Sequence, residues 1–212
     1  MKRLCLSFDD GPEPAVTEGV LDVLRHFDVK ATFFVIGNKL KRPLARRIIE
    51  RARSEGHRIG NHTLTHSTPL GRLGAQESRH EIAATQELLG ALAPDRLFRP
   101  YGAGGHIGKH LLSAAARDYL IEHRFTCVLW NAVPRDWENP EGWVDTAMAQ
   151  CAAMTHSLVV LHDRATGAMN DLPAFLSRVR SSGTEITQEF PADCLPIISG
   201  IPSLDLNEYV NS

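Results

Sequence analysis

The 212-residue chain has no run of about 18 apolar residues, so no part of it reads as a membrane span. Its charges nearly cancel, 23 Lys and Arg against 25 Asp and Glu. A net charge of −2 offers no field to draw in nucleic acid or an anionic membrane, and neither partner is expected. Cysteine is scarce. Cys5, Cys127, Cys151 and Cys194 form no CxxC or other metal spacing, and we expect four small buried hydrophobes rather than disulfides or ligands. The N-terminal Met1-Lys2-Arg3-Leu4-Cys5-Leu6 is basic and then apolar, but reaches Asp9-Asp10 before a signal-peptide core can form, so the expectation is a cytoplasmic protein. There is no internal repeat, low-complexity tract or linker.

What is present is an ordinary globular composition, 43% hydrophobic, in a chain long enough for one domain with a substantial core. Short apolar runs alternate with helical periodicity, which predicts an α/β fold. Strands are predicted over 3–8, 30–36, 58–61, 97–99, 126–131, 158–162 and 185–190, and helices over 16–27, 43–55, 76–92, 107–121, 140–154 and 172–180. Pro43 and Pro140 suit the first turn of a helix, where a missing N–H costs nothing. About seven strands with interposed helices suggest a barrel-like closure of parallel strands, with an open doubly wound sheet as the alternative. In both, ligands gather at the C-terminal strand ends. Residues 1–190 read as the catalytic domain and 191–212 as a tail lying over the surface.

The residues suited to chemistry fall at those strand ends. Ser7-Phe8-Asp9-Asp10-Gly11 closes the first strand with two carboxylates, and Gly11-Pro12 turns tightly after them. Successive strand residues point to opposite faces, so both acids reach one site only if the backbone bends there. His62-Thr63-Leu64-Thr65-His66 puts two imidazoles four apart, on one face if the segment is helical. Two histidines and a carboxylate are donors for a divalent metal that keeps positions open for water, and a second carboxylate is then spare as a general base. The same donors suit non-haem iron, but that reading gives Asp9 no role. Arg99 brings a planar, permanently charged group able to orient a carboxylate. His162 follows an apolar strand, and Asp136 is an acid able to raise its basicity. Trp137 offers a flat apolar face for a sugar ring. Taken singly each has a bland explanation as turn, surface or core. Their coincidence on one rim favours a metal-assisted hydrolase. The other seven histidines lack matched partners, with His106 in the glycine-rich stretch 102–108 the least settled.

In that order these residues resemble the NodB-homology polysaccharide deacetylases, carbohydrate esterase family 4, over about residues 4–190. Residues 7–11 resemble the first family motif, 56–66 the second, Arg99-Pro100-Tyr101-Gly102 the third, 130–137 the fourth and 158–163 the fifth. The resemblance implies a distorted (β/α) barrel that removes acetyl groups from N-acetylated sugars. It implies Asp9 as base, Asp10, His62 and His66 as metal ligands, Arg99 holding the base, and the Tyr101 N–H on the oxyanion. It further implies His162 as acid, tuned by Asp136, with Trp137 and Val160 against the substrate. The metal expected is zinc, with cobalt or nickel as alternatives.

Three departures from the family pattern stand out. The third motif is one residue short between Arg99 and Tyr101, Val133 stands where the family often has an acid, and Val160 where it usually has leucine. The partner expected is a carbohydrate, and soluble chito-oligosaccharides fit a bare domain best. The rivals are an amidase or esterase acting on a small non-sugar amide or O-acetyl ester, and a non-catalytic carbohydrate-binding relic.

Overall fold

The computed structural model describes residues 1–211. Seven strands run mutually parallel: β1 (Arg3–Asp9), β2 (Thr32–Val35), β3 (Arg58–Asn61), β4 (Leu97–Phe98), β6 (Thr126–Cys127), β7 (His156–His162) and β8 (Glu185–Thr187). β1 is the next-to-last strand in the sheet order, just inside β7. One of its edges pairs with β7 along the whole strand, placing Asp9 opposite His162. Its other edge is shared, with β8 beside residues 3–5 and β2 beside residues 7–9. The sheet curls into a distorted barrel, and a bridge between Ala132 and Val159 joins the chain after β6 to β7. β1 and β7 are buried on both faces and read as near-continuous apolar runs, as strands flanked by helices do.

Six helices pack outside: α1 (Pro14–His26), α2 (Pro43–Ser54), α3 (Ala75–Leu89), α4 (Ala114–Glu122), α5 (Trp143–Ala152) and α6 (Leu172–Ser181). α1 buries Thr17, Val20, Leu21 and Leu24, and α2 buries Ala45, Ile48, Ile49 and Ala52, the stripe expected of a helix on a sheet. Pro14 and Pro43 open their helices. None of the helices in the described residues is long and apolar enough to cross a membrane. All four cysteines are free and buried, and burial pushes the thiols of Cys5, Cys127 and Cys194 up to about 12.

Several expected boundaries are corrected. α4 begins at Ala114 rather than 107, because Ser113 caps it by accepting the Ala116 N–H at 3.1 Å. The preceding residues form a glycine-rich loop and the short β5 (Leu112–Ser113). α5 begins at Trp143, so Pro140 lies before its first turn, in a turn where Asn139 Oδ1 accepts the Gly142 N–H. β6 is regular only over two residues, after which the Leu129 N–H turns to the Cys194 carbonyl at 2.7 Å. The tail does not merely lie over the surface. β9 (Ile197–Ile198) pairs antiparallel with β6, β10 (Ile201–Pro202) pairs with β9, and β11 (Val210–Asn211) pairs with β5. Cys194, Ile197, Tyr209 and Val210 are buried in the core.

Candidate active site

Asp10 is the bend that the strand alternation requires. Its φ of 75° turns the backbone left-handed just after β1, so both carboxylates line the same cavity, about 300 Å³, at the C-terminal rim of the sheet. Gly11 keeps that turn close to its neighbour. A Cβ there would fall 2.1 Å from Asp163 Oδ2. Asp9 meets Arg99, whose Nη1 donates to Asp9 Oδ1 at 2.8 Å and to Ser7 Oγ at 2.7 Å. Arg99 is fully buried, donates also to the carbonyls of Val128 and Leu129, and lies 4.0 Å over the Phe34 ring. A buried guanidinium with this many acceptors is held in one geometry, and so is the carboxylate it grips.

The segment 62–66 is not helical. Thr63 and His66 have φ of 65° and 54°, and this left-handed loop, rather than a helix face, brings the two imidazoles together with ring centroids 4.6 Å apart. The loop is tied down by its neighbours. Glu81 of α3 accepts the N–H groups of Leu64 and Thr65 at 2.8 and 2.9 Å and the Thr65 hydroxyl at 2.8 Å. Asn61 Oδ1 accepts the Thr63 N–H at 3.0 Å. His62 Nδ1 lies 2.8 Å from the Arg99 carbonyl. A carbonyl only accepts, so Nδ1 carries the proton and Nε2 keeps its lone pair.

His62 Nε2 stands 3.6 Å, and His66 Nε2 3.1 Å, from Asp10 Oδ1, a buried oxygen without a hydrogen-bond partner. All three donor atoms lie within 4.8 Å of one another. Donors about 2.0–2.2 Å from one ion are separated in this way, and the orphaned oxygen is what an ion would satisfy, so these residues fit a divalent metal. Burial, then the neighbouring His62, lowers the His66 pKa to about 4. Burial opposes ionisation of Asp10, but His66, His162, His62 and Arg164 outweigh it and hold the carboxyl below the usual range.

Asp136 is fully buried and directs both oxygens at His162, Oδ1 accepting from Nδ1 at 2.8 Å and Oδ2 from the backbone N–H at 2.9 Å. Nε2 is therefore the nitrogen left for chemistry. Burial alone would lower the His162 pKa, but the Asp136 hydrogen bond and charge reverse this and raise it. Trp137 packs edge-on against His162, with centroids 4.6 Å apart, while Arg135 covers part of its face at 5.5 Å. The Tyr101 ring lies tilted by 44° against His66 with centroids 3.9 Å apart, and its amide makes no backbone hydrogen bond among the described residues. Val133, Val160 and Trp130 give the cavity an apolar wall, with Trp130 seated on Gly102, where a Cβ would fall 2.6 Å from the ring. His106 is exposed and outside the cavity lining, and His57 is buried structure, its Nδ1 accepting the Ala31 N–H.

Four participants carry no assignment in the sequence reading. Ser7 lies two residues before Asp9, on the same strand face, so the period of two could have found it. Glu81 acts from a helix 15 residues beyond His66 with no local signal. Asp163 is fully buried, accepts from Thr17 Oγ1 and has an unpartnered Oδ1, and burial raises its pKa to about 7. Arg164 lines the cavity at 3.5 Å from Asp10 Oδ2.

The geometry has counterparts among known proteins. The sequence profile of the polysaccharide deacetylases matches residues 1–118. A chitooligosaccharide deacetylase of Rhizobium leguminosarum bv. trifolii is 34% identical over 168 residues, covering 76% of this chain and 72% of that protein. The peptidoglycan-N-acetylglucosamine deacetylase PgdA of Listeria monocytogenes is 30% identical over 187 residues, or 87% of this chain, and the chain spans only 37% of that relative's length. The peptidoglycan deacetylase PdaC from Bacillus subtilis superposes with a TM-score of 0.70 at 28% identity, over 87% of this chain and 86% of that one. With more than half its length matched and the fold shared, the chain belongs to the polysaccharide deacetylase family.

Proposed function

We propose that the protein hydrolyses the N-acetyl amide of an amino sugar within an oligosaccharide, with Asp9 as general base and His162 as general acid. One observation carries this reading. A single cavity is lined by a carboxylate gripped by a buried arginine, by a three-donor cluster fit for a cation, and by an imidazole backed by a buried carboxylate. The relatives named as chitooligosaccharide and peptidoglycan deacetylases support an N-acetylated sugar as the substrate class.

Asp10, His62 and His66 would hold a divalent ion. Zinc is the first choice, since two imidazoles and one carboxylate with open positions suit it, and cobalt or nickel can take the same donors. When bound, the ion supplies Lewis acidity to a water and to the amide carbonyl. Asp9 has Oδ1 committed to Arg99, so Oδ2 is the oxygen left to take a proton from the attacking water. As the water oxygen bonds to the carbonyl carbon, the Tyr101 N–H is an available donor toward the developing negative charge. Val133, Val160 and Trp130 form the apolar wall for the acetyl methyl. His162 gives the Nε2 proton to the nitrogen as the C–N bond breaks, Asp136 stabilises the imidazolium beforehand, and acetate and free amine leave. Trp137 supports His162 and offers the substrate what remains of its face.

Asp9→Asn and His162→Ala test the assignment. Each is expected to lower the rate of acetate release by about 10²–10⁴-fold while still binding one zinc ion per chain. Wild-type turnover in either variant would overturn it.

A further inference from the structure

Gly19 lies in the second turn of α1, exposed, and a Cβ added there would meet nothing within 4 Å. It has no positive φ and no close neighbour to require it, and a glycine inside a helix weakens that helix relative to alanine. Its one structural consequence is open space. Gly19 borders a groove of about 380 Å³ between α1 and the start of α6, walled by Val16, Val23, Met169 and Pro173, with Asn170 on the α6 side.

The groove is not isolated from the active site. Arg164 lines both it and the catalytic cavity, so the two depressions share one side chain as their common wall. That side chain is 52% exposed, and its one ionic contact among the described residues is the 3.5 Å approach to Asp10 Oδ2. Asp10 faces the histidine pair with its other oxygen, Oδ1. Most of the five guanidinium N–H donors are therefore free at the junction. Apolar walls with a few amide and guanidinium donors match the chemistry of a pyranose ring, whose C–H face is apolar and whose rim is hydroxylated.

We propose that the catalytic cleft continues past Arg164 into the α1–α6 groove, which holds a sugar ring neighbouring the one that is deacetylated. The ring's C–H face lies on Val16, Val23 and Met169, and its hydroxyls meet Arg164 and the Asn170 amide. This rests on the deacetylase reading above, and makes the substrate an oligosaccharide long enough to span both depressions. A side chain at position 19 would then occupy the ring's place.

The test is acetate release from N-acetylglucosamine and its oligomers, monomer to pentamer, by zinc-loaded wild type, Gly19→Phe, Gly19→Ala and Asn170→Phe, together with calorimetric titration of the pentamer into each chelated protein. In wild type kcat/KM should rise by about tenfold from monomer to dimer, and in Gly19→Phe that advantage should shrink to about twofold. Pentamer affinity should fall by about tenfold in Gly19→Phe, and likewise in Asn170→Phe, which fills the groove from the opposite wall. Gly19→Ala should keep the chain-length advantage and melt at a higher temperature. Wild-type chain-length dependence and pentamer affinity in both phenylalanine variants would overturn the proposal. If no oligomer is deacetylated by any of these proteins, the deacetylase reading fails, and the affinity comparison still decides whether the groove binds sugar.

Discussion

Replacing Asp136 by asparagine should move the alkaline limb of the pH–rate profile toward acid. Asp136 is fully buried and spends both oxygens on His162, one on the imidazole and one on the backbone N–H. Burial works against the imidazolium, and the Asp136 hydrogen bond and charge, with smaller help from Asp10 and Asp9, more than reverse it. Asparagine keeps the shape but loses the charge and offers one oxygen, so in either orientation one of the two donors faces an NH₂ group. Losing a hydrogen bond to a charged group costs about 1.5–3 kcal/mol. At about 1.36 kcal/mol per unit this moves the titration by about 1–2 units.

Above neutral pH the protonated fraction of His162, and kcat with it, should then fall by about 10–100-fold, while KM changes little because Asp136 does not line the cavity. The assay is acetate release between about pH 5 and about pH 9. Stability supplies an independent reading. A histidine whose pKa is raised on folding contributes stability that is fully present below its unfolded value and is lost as pH rises through its folded value. The gap in Tm between wild type and Asp136→Asn should therefore be widest in acid and narrow in alkali. An unmoved alkaline limb with wild-type kcat would refute the coupling of Asp136 to His162.

Two further substitutions probe the supporting residues. Glu81→Gln leaves one oxygen for the three donors that Glu81 now accepts. Zinc affinity, measured by competition with a chromogenic chelator, should fall by about 10–100-fold, and unchanged affinity would show that the 62–66 loop holds itself. Asp163→Asn removes a buried carboxyl that burial raises to about 7 while keeping an acceptor for Thr17. An acid raised on folding stabilises below its unfolded pKa, and that stability is lost as pH rises through the folded value. The chelated variant should thus gain about 2–4 kcal/mol over wild type above neutral pH and nothing near pH 4. Urea unfolding at the two extremes measures this, and an equal difference at both would contradict it.

The residues around the cavity were legible because parallel strands carry their C-terminal residues to one rim, so polar groups closing separate apolar runs had to meet. The need for a bend at Asp9-Asp10 was legible too, from the alternation of side chains, and Asp10 provides it. Periodicity says nothing about a left-handed loop, and it is such a loop, not the helix face on which this spacing would also bring them together, that joins His62 and His66. Two-residue strands such as β9 and β11 have no pattern to detect. Their pairing depends on edges that β6 and β5 present only after folding. Glu81 acts across the fold on the backbone of the 62–66 loop, and Asp163 on the Thr17 hydroxyl, and no spacing encodes either. The start of α5 was misread because Pro140 suits a helix start as well as the turn that precedes one.

Metal-dependent hydrolysis in this cavity is the central proposal. Its most direct test is acetate release from a chito-oligosaccharide by the purified protein as isolated, after exhaustive chelation, and after adding back zinc or cobalt. Release should disappear with the chelator and return with the ion. Release at full rate from the chelated protein would contradict it, as would no release under any metal.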